Sequence, residues 1–82
     1  MLSIDLKNAF RGGSEYDNFT VLLLRLIAKA DSDNRKLLSK GYPVQVKAVE
    51  IYRTRCPYAD QNRSVVNWDK LEAMAYAEVG NG

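Results

Sequence analysis

The stretch PVQVKAVEIYRTRCP, residues 43–57, decides the fold class because it fits either a helix or a strand. Val44, Ala48 and Ile51 lie at helical spacing, whereas the alternating β-branched residues at its start favour a strand. The stretch runs without a turn signal until Pro57, which is longer than a usual strand, and proline is a natural helix terminator. It therefore predicts a helix and, with it, an all-α fold.

The N-terminal segment predicts a short helix that ends at the glycine pair of RGGS, residues 11–14. Its apolar residues follow a helical period, although Leu2, Ile4 and Leu6 alternate equally well as a strand. We favour the helix. Its predicted apolar face consists of Leu2, Leu6, Ala9 and Phe10.

The next segment carries the clearest helical pattern in the chain. Ser14 is a candidate N-cap with Asp17 in the first turn, and Asn18 is a later alternative. Its apolar residues form two adjacent faces of the helix. An apolar surface this wide predicts either core packing or contact with a second copy of the chain. The first face consists of Tyr16, Phe19, Leu23, Leu26, Ile27 and Ala30, and the second of Val21, Leu24 and Ala28.

Two further helices complete the prediction. Ser32 or Asp33 starts a short helix, Gly41 gives it a left-handed C-terminal stop, and Pro43 opens the helix that follows. Asn67 caps the last helix, which ends at Gly80. The apolar face of this helix is Trp68, Leu71, Ala75 and Val79. The sequence therefore predicts one all-α domain over residues 1–82, a bundle of about four short helices, with self-association as an open alternative.

Composition excludes several kinds of chemistry. The 82 residues include no histidine and one cysteine, so the usual general base and the ligand sets of zinc sites are missing. No phosphate-binding glycine motif and no nucleophile motif is present, and the acidic pair Asp31 and Asp33 fits helix starts better than a cation site. We expect a protein that is not an enzyme, with no catalytic residue, cofactor or metal.

The sequence also indicates where the protein works. Its longest apolar run is far shorter than the ~20 residues of a membrane span, and its N-terminus lacks the apolar core of a secretory signal. A single cysteine fits a reducing compartment. We expect an intracellular protein with no membrane partner.

Charge is distributed unevenly along the chain. The net charge is only +2, yet residues 35–63 carry seven bases and two acids. Such a basic band is a candidate surface for phosphate groups or for an acidic partner. The candidate binding residues are Arg35, Lys36, Lys40, Lys47, Tyr52, Arg53, Arg55, Tyr58 and Arg63.

The segment YRTRCPY, residues 52–58, has two interpretations. In one, its arginines bind phosphates and its tyrosines stack on bases. In the other, which we favour, it is a helix C-terminus where cations complement the dipole, Tyr52 packs inward and Pro57 stops the helix. Arg53 and Arg55 are two residues apart and should point in divergent directions on a helix. Cys56 fits a half-buried apolar role better than a reactive thiol.

Residues 18–54, NFTVLLLRLIAKADSDNRKLLSKGYPVQVKAVEIYRT, resemble small uncharacterised proteins encoded by tailed bacteriophages. In those proteins a segment like NFT…LL.LI.KAD..N precedes a GYP or GFP turn and a helix like VE.Y. The resemblance covers 37 of the 82 residues and consists of a helix-and-corner pattern. It implies a phage or prophage origin and the cytoplasm of a bacterial host, with no activity and no functional residue attached.

Two functional hypotheses follow. The first is a phage-encoded interaction protein that inhibits a bacterial defence complex, as anti-CRISPR proteins do, or another host factor by direct binding; it rests on analogy with phage accessory proteins of this size. The alternative is a nucleic-acid- or cyclic-nucleotide-binding protein that uses the basic band. A structural role in the virion also stays open.

Overall fold

A computed structural model describes residues 1–61 and 63–80 of the chain. Within these ranges the backbone forms five α-helices and no strand, which confirms the predicted all-α fold. The Cα radius of gyration is 12.2 Å, as expected for a compact chain of this length. The helices are α1 (Leu2–Arg11), α2 (Phe19–Lys29), α3 (Ser32–Gly41), α4 (Pro43–Arg55) and α5 (Trp68–Gly80).

Four of the helices form a closed ring of contacts around the core. Helix α1 packs on α2, α2 on α4, α4 on α5, and α5 on α1. Helix α3 packs mainly on α4 and contributes no fully buried residue. Four helices therefore build the core, which accounts for the predicted bundle of about four, and α3 is attached on the outside.

The stretch that decides the fold class is helix α4. Pro43 occupies its first turn, where a missing backbone N–H removes no helical hydrogen bond. The helix contacts α2, α3 and α5, so apolar residues are needed on more than one of its faces. Both a helical and an alternating pattern can therefore be found in its sequence. Its buried residues are Val46, Ala48, Val49 and Ile51.

Helix α2 begins at the later of the two predicted caps. The side chain of Asn18 accepts a hydrogen bond from the backbone N–H of Val21 at 2.9 Å, whereas Ser14 lies in the preceding turn. Val21 and Leu24 are completely buried within the chain. Of the two predicted alternatives, core packing is therefore the one observed for these residues, because the chain's own fold covers them. Ala28 is partly buried against the same core.

The outward side of α2 also differs from the prediction. Phe19 and Leu26, which were placed on the buried face, are 67% and 55% exposed, and Leu22 is 51% exposed. A helix that is apolar on nearly every side gives no sequence signal for which side the neighbouring helices cover. Tyr16 precedes the helix and is also exposed.

Tyr42 separates α3 from α4. The side chain of Asp31 accepts a hydrogen bond from the Asn34 N–H at 2.8 Å and caps α3, which begins at Ser32, the earlier of the two predicted starts. The predicted left-handed stop at Gly41 is wrong, since no described glycine has positive φ. Instead Tyr42 leaves the helical region with φ −133° and ψ 60°. The following proline causes this, because it disfavours helical geometry in the residue before it.

Arg25 fixes the turn between α1 and α2. Its guanidinium donates to the carbonyl oxygens of Asn8, Ala9, Gly13 and Tyr16 at 2.9–3.2 Å. Two of these carbonyls, those of Asn8 and Ala9, belong to the last turns of α1, and the Asn8 carbonyl also accepts from the Gly12 N–H at 3.1 Å. Arg25 thus caps α1 and orders the loop after it.

An aromatic stack joins three helices. The rings of Phe10 and Tyr52 are nearly parallel with centroids 4.3 Å apart, and Trp68 stacks on Tyr52 at 5.7 Å. These residues come from α1, α4 and α5 and pack against the hydrophobic core. Asn67 caps α5 as predicted, through the Lys70 N–H at 3.0 Å. Leu71 and Ala75 are buried, while Trp68 and Val79 are only partly covered.

Candidate functional site

A groove of about 630 Å³ lies between α3 and α4. Its apolar lining comes from Val46 and Ile51 of α4, and polar side chains form the rest of the lining. Because α3 rests on α4 without burying any residue fully, the two helices leave this open channel between them. Two other surface depressions have volumes of only about 260 and 200 Å³.

Five basic side chains and one carboxylate line the groove, although the whole chain has a net charge of only +2. The carboxylate is Glu50. The structure therefore brings residues that are up to twenty positions apart in sequence onto one surface of strongly positive character. The basic residues are Arg35, Lys36, Lys47, Arg53 and Arg55.

The five bases divide into two groups by their contacts. Arg53 donates to the Ala28 carbonyl at 3.2 Å, and Arg55 forms an ion pair with Glu78 of α5. Both therefore also hold helices together. The other three are Arg35, Lys36 and Lys47. Their side chains form no hydrogen bond or ion pair within residues 1–61 and 63–80, so they are available to a ligand.

One sequence prediction about this surface is confirmed and one needs correction. Arg53 and Arg55 diverge as predicted, Arg53 toward Ala28 of α2 and Arg55 toward Glu78 of α5, although both also line the groove. Lys40 was grouped with them but does not line the groove. It lies in the last turn of α3, where a cation complements the helix dipole.

A smaller depression of about 200 Å³ continues from the end of the groove. The two share Arg53, Thr54 and Arg55, so the basic surface is continuous around the end of α4. The second depression also includes Tyr58 and Arg63 from the loop between α4 and α5. We call it the loop depression.

The two predicted stacking tyrosines have different environments. Tyr52 is half-buried and its ring stacks on Phe10 and Trp68, so it is engaged in packing within the chain. Tyr58 is 39% exposed, and the guanidinium carbon of Arg63 lies 5.8 Å from its ring centroid. Tyr58 is therefore the tyrosine of this region that presents its ring to solvent.

Hydrogen bonds order the loop that carries Tyr58. An isolated antiparallel bridge pairs Tyr58 with Val66, and the Ala59 N–H donates to the Val65 carbonyl at 2.7 Å. The carboxylate of Asp60 accepts from the hydroxyl and the backbone N–H of Ser64 at 2.7 and 3.0 Å. The Ser64 hydroxyl is the main cause that lowers the pKa of Asp60 below its usual 3.8.

Arg63 has an unusual backbone geometry. Its φ is 59°, in the left-handed region that non-glycine residues seldom occupy. Its amide still donates to the Asp60 carbonyl at 3.4 Å. In this conformation the Arg63 side chain lies over the Tyr58 ring.

Cys56 is a packing residue. It is half-buried, and this burial raises the pKa of its thiol. The nearby Tyr58 side chain and the charge of Arg11 lower this pKa but do not outweigh the burial. A raised pKa means little thiolate near neutral pH, which fits the predicted apolar role.

Sequence reasoning missed a second exposed surface. Phe19, Leu22 and Leu26 lie at i, i+3 and i+7 on α2, and each is more than half exposed. Their spacing alone was a signal, since it defines one helical stripe, but it could not show that the opposite side of α2 faces the core. We call these three residues the apolar stripe.

Among the described residues we looked for a cation site and for a membrane span. The part of the chain that is described contains no cluster of three or more potential metal-ligating side chains. Asp31 caps α3, as expected for this acidic pair. None of the helices within the described ranges is long and apolar enough to cross a bilayer.

Comparison with other proteins gives no match. No protein-family model fits the sequence, and no curated protein or solved structure is significantly similar to it.

Proposed function

We propose that this chain acts by binding and has no catalytic activity, and that the basic groove holds the phosphate groups of a nucleic acid. The supporting observation is the convergence of five basic side chains on one channel of a nearly neutral protein. Cations gathered along a groove attract a phosphate backbone and release its bound counterions. The bacterial cytoplasm, implied by the resemblance to phage proteins, supplies abundant ligand of this class.

Salt dependence of binding tests this function. A fluorescently labelled single-stranded oligonucleotide should bind at low salt and lose affinity with a log–log slope of roughly −3, as expected for about four neutralised phosphates. The double variant Arg35→Gln, Lys47→Gln should weaken binding and flatten the slope by about 1.4, because it removes two cations that hold no helix in place.

The matched control is Lys70→Gln, which removes an exposed cation of α5 outside the groove. It should leave both affinity and slope nearly unchanged. No binding at low salt, or an affinity that does not vary with salt, would rule out the proposed function.

The apolar stripe supports a second candidate function, which is direct binding of a host protein. Isolated exposed apolar residues are common, but three in one stripe on a small domain can anchor a protein contact. Under this second candidate function, the chain is a phage-encoded inhibitor of a bacterial defence complex or another host factor. A second copy of the chain is the competing occupant of the stripe.

Co-purification from host lysate and solution mass test this candidate together. A host protein retained by the wild type and lost in Leu22→Glu would support it, because a charge in the stripe opposes apolar contact. A dimeric mass that Leu22→Glu converts to monomer would assign the stripe to self-association. A monomer that retains no host protein would count against both.

A further inference from the structure

The loop depression offers a place for a nucleobase beside the phosphate-binding groove. It shares three residues of α4 with the groove, so a strand whose phosphates occupy the groove has one continuous basic path to Tyr58. Tyr58 is the exposed aromatic ring on that path. Aromatic rings beside a cationic groove are the usual means of holding the bases of single strands.

The position of Arg63 suits a sandwiched base. Its guanidinium carbon is 5.8 Å from the Tyr58 centroid, which is wider than a direct stacking contact. A flat base between ring and guanidinium needs about 7 Å, or two layers of roughly 3.5 Å. Arg63 is exposed, so a shift of about 1 Å in a long side chain opens the required space.

The loop fixes the backbone that carries the Tyr58 ring before any ligand arrives. The bridge to Val66 pairs the Tyr58 backbone, and the Ala59 N–H donates to the Val65 carbonyl beside it. The Asp60–Ser64 hydrogen bonds close the turn from which Arg63 projects. A ring carried on an ordered backbone loses less conformational freedom on stacking, which favours binding.

We infer that the chain prefers single-stranded over double-stranded nucleic acid, and that one unpaired base stacks on Tyr58 beneath Arg63 while the groove holds the neighbouring phosphates. This inference rests on the proposed function, since the groove must bind phosphates first. In a duplex the bases are already stacked on one another and are not available to Tyr58. Tyr52 also lines the loop depression, but its ring is already stacked on Phe10 and Trp68, so Tyr58 is the ring that we assign to the base.

The test compares three probes of about ten nucleotides: an oligothymidylate, an abasic strand with the same phosphates, and a duplex. Wild type should bind the oligothymidylate about tenfold more tightly than the abasic strand, which is the contribution of one stacked base. The duplex should also bind more weakly than the oligothymidylate. Tyr58→Ala should remove the difference between the two single strands and leave the affinity for the abasic strand unchanged.

Two variants keep the result interpretable. Tyr58→Phe retains the ring and should retain the tenfold preference, so it separates stacking from any contribution of the tyrosine hydroxyl. The double variant Arg35→Gln, Lys47→Gln should weaken oligothymidylate and abasic binding by the same factor. Circular dichroism establishes that each variant keeps its helices.

The outcomes separate this inference from the function on which it rests. Equal wild-type affinity for the oligothymidylate and the abasic strand would overturn the inference and leave groove binding in place. The inference would also be overturned, with groove binding left in place, if Tyr58→Ala weakened binding of the oligothymidylate and of the abasic strand equally. A duplex that binds more tightly than either single strand would have the same meaning. Absence of binding to any of the three probes would overturn the proposed function as well.

Discussion

Arg25 shows how one side chain of a neighbouring helix can organise the end of another helix. The glycines after α1 offer no side chain that could bond its last carbonyls, and the Arg25 guanidinium reaches them from α2. The same group also binds the carbonyls of Gly13 and Tyr16. A planar group with five N–H donors suits several acceptors at once, whereas a lysine ammonium has three.

Replacing Arg25 by methionine should therefore destabilise the protein by about 2 kcal/mol, since hydrogen bonds to a charged donor contribute more than neutral ones. Lysine at this position should recover part of the loss. Urea denaturation followed by circular dichroism measures the change. Lys29→Met is the matched control, because Lys29 is exposed at the end of the same helix and should change stability by less than about 0.5 kcal/mol. A change at Arg25 as small as in the control would contradict its role.

Asp60 gives the loop after α4 a pH dependence. Its pKa is lowered in the folded chain, so its contribution to order in the loop is present above the usual carboxyl pKa and is lost as pH falls through the folded value. We expect the Ser64 amide resonance to shift below about pH 4, as protonation weakens the hydrogen bonds to Asp60. Asp60→Asn should abolish that titration. A Ser64 amide that titrates equally in the variant would show that another group is responsible.

At the scale of elements, the existence of the helices could be predicted, but the faces of α2 could not. Asn18 was available in the sequence as a cap, and α4 followed from its length and Pro57. The choice between Leu24 and Leu26 as buried residues depended on which side α1 and α4 cover. That choice is made by tertiary packing, because α2 is apolar on nearly all sides.

Gly12, which follows α1, and Gly41, the last residue of α3, should respond in opposite ways to replacement by alanine. A Cβ at Gly12 would lie 2.6 Å from the Asn8 carbonyl oxygen and from the Tyr16 ring, so Gly12→Ala should destabilise by about 1–3 kcal/mol. A Cβ at Gly41 meets nothing within 4 Å, and its backbone is helical. Gly41→Ala should therefore stabilise by about 0.5–1 kcal/mol.

Thermal denaturation of both variants measures this difference, and each serves as the other's control. Destabilisation by Gly41→Ala would indicate that α3 ends in a left-handed glycine after all. A neutral Gly12→Ala would show that the turn after α1 can widen without loss.

At the scale of the whole molecule, the aromatic stack connects parts of the chain that are distant in sequence. Phe10, Tyr52 and Trp68 join α1, α4 and α5, three of the four helices that build the core. The sequence predicted that Tyr52 packs inward, but it could not name its partners, because the stack depends on how three helices meet. The groove was beyond prediction for the same reason: its basic residues were identified, while their convergence follows from the attachment of α3 to α4.

Tyr52→Ala should lower the free energy of unfolding by about 3 kcal/mol, since it removes a large packed side chain and leaves a cavity among three helices. Trp68 is the only tryptophan and stacks on Tyr52, so its fluorescence should change as well. Tyr76→Ala is the matched control, because that ring is 55% exposed on α5 and its loss should cost less than about 0.5 kcal/mol. Equal effects of the two substitutions would contradict a structural role for the stack.

Helix α3 has no fully buried side chain, so of the two helices that line the groove it is the less firmly anchored. Its amides should exchange with deuterated solvent earlier than those of α4, whose buried residues hold it against three neighbours. A ligand that spans the groove would tie α3 to α4 and slow this exchange. Deuterium uptake across residues 32–41 can thus report whether the groove is occupied, without any label on the ligand.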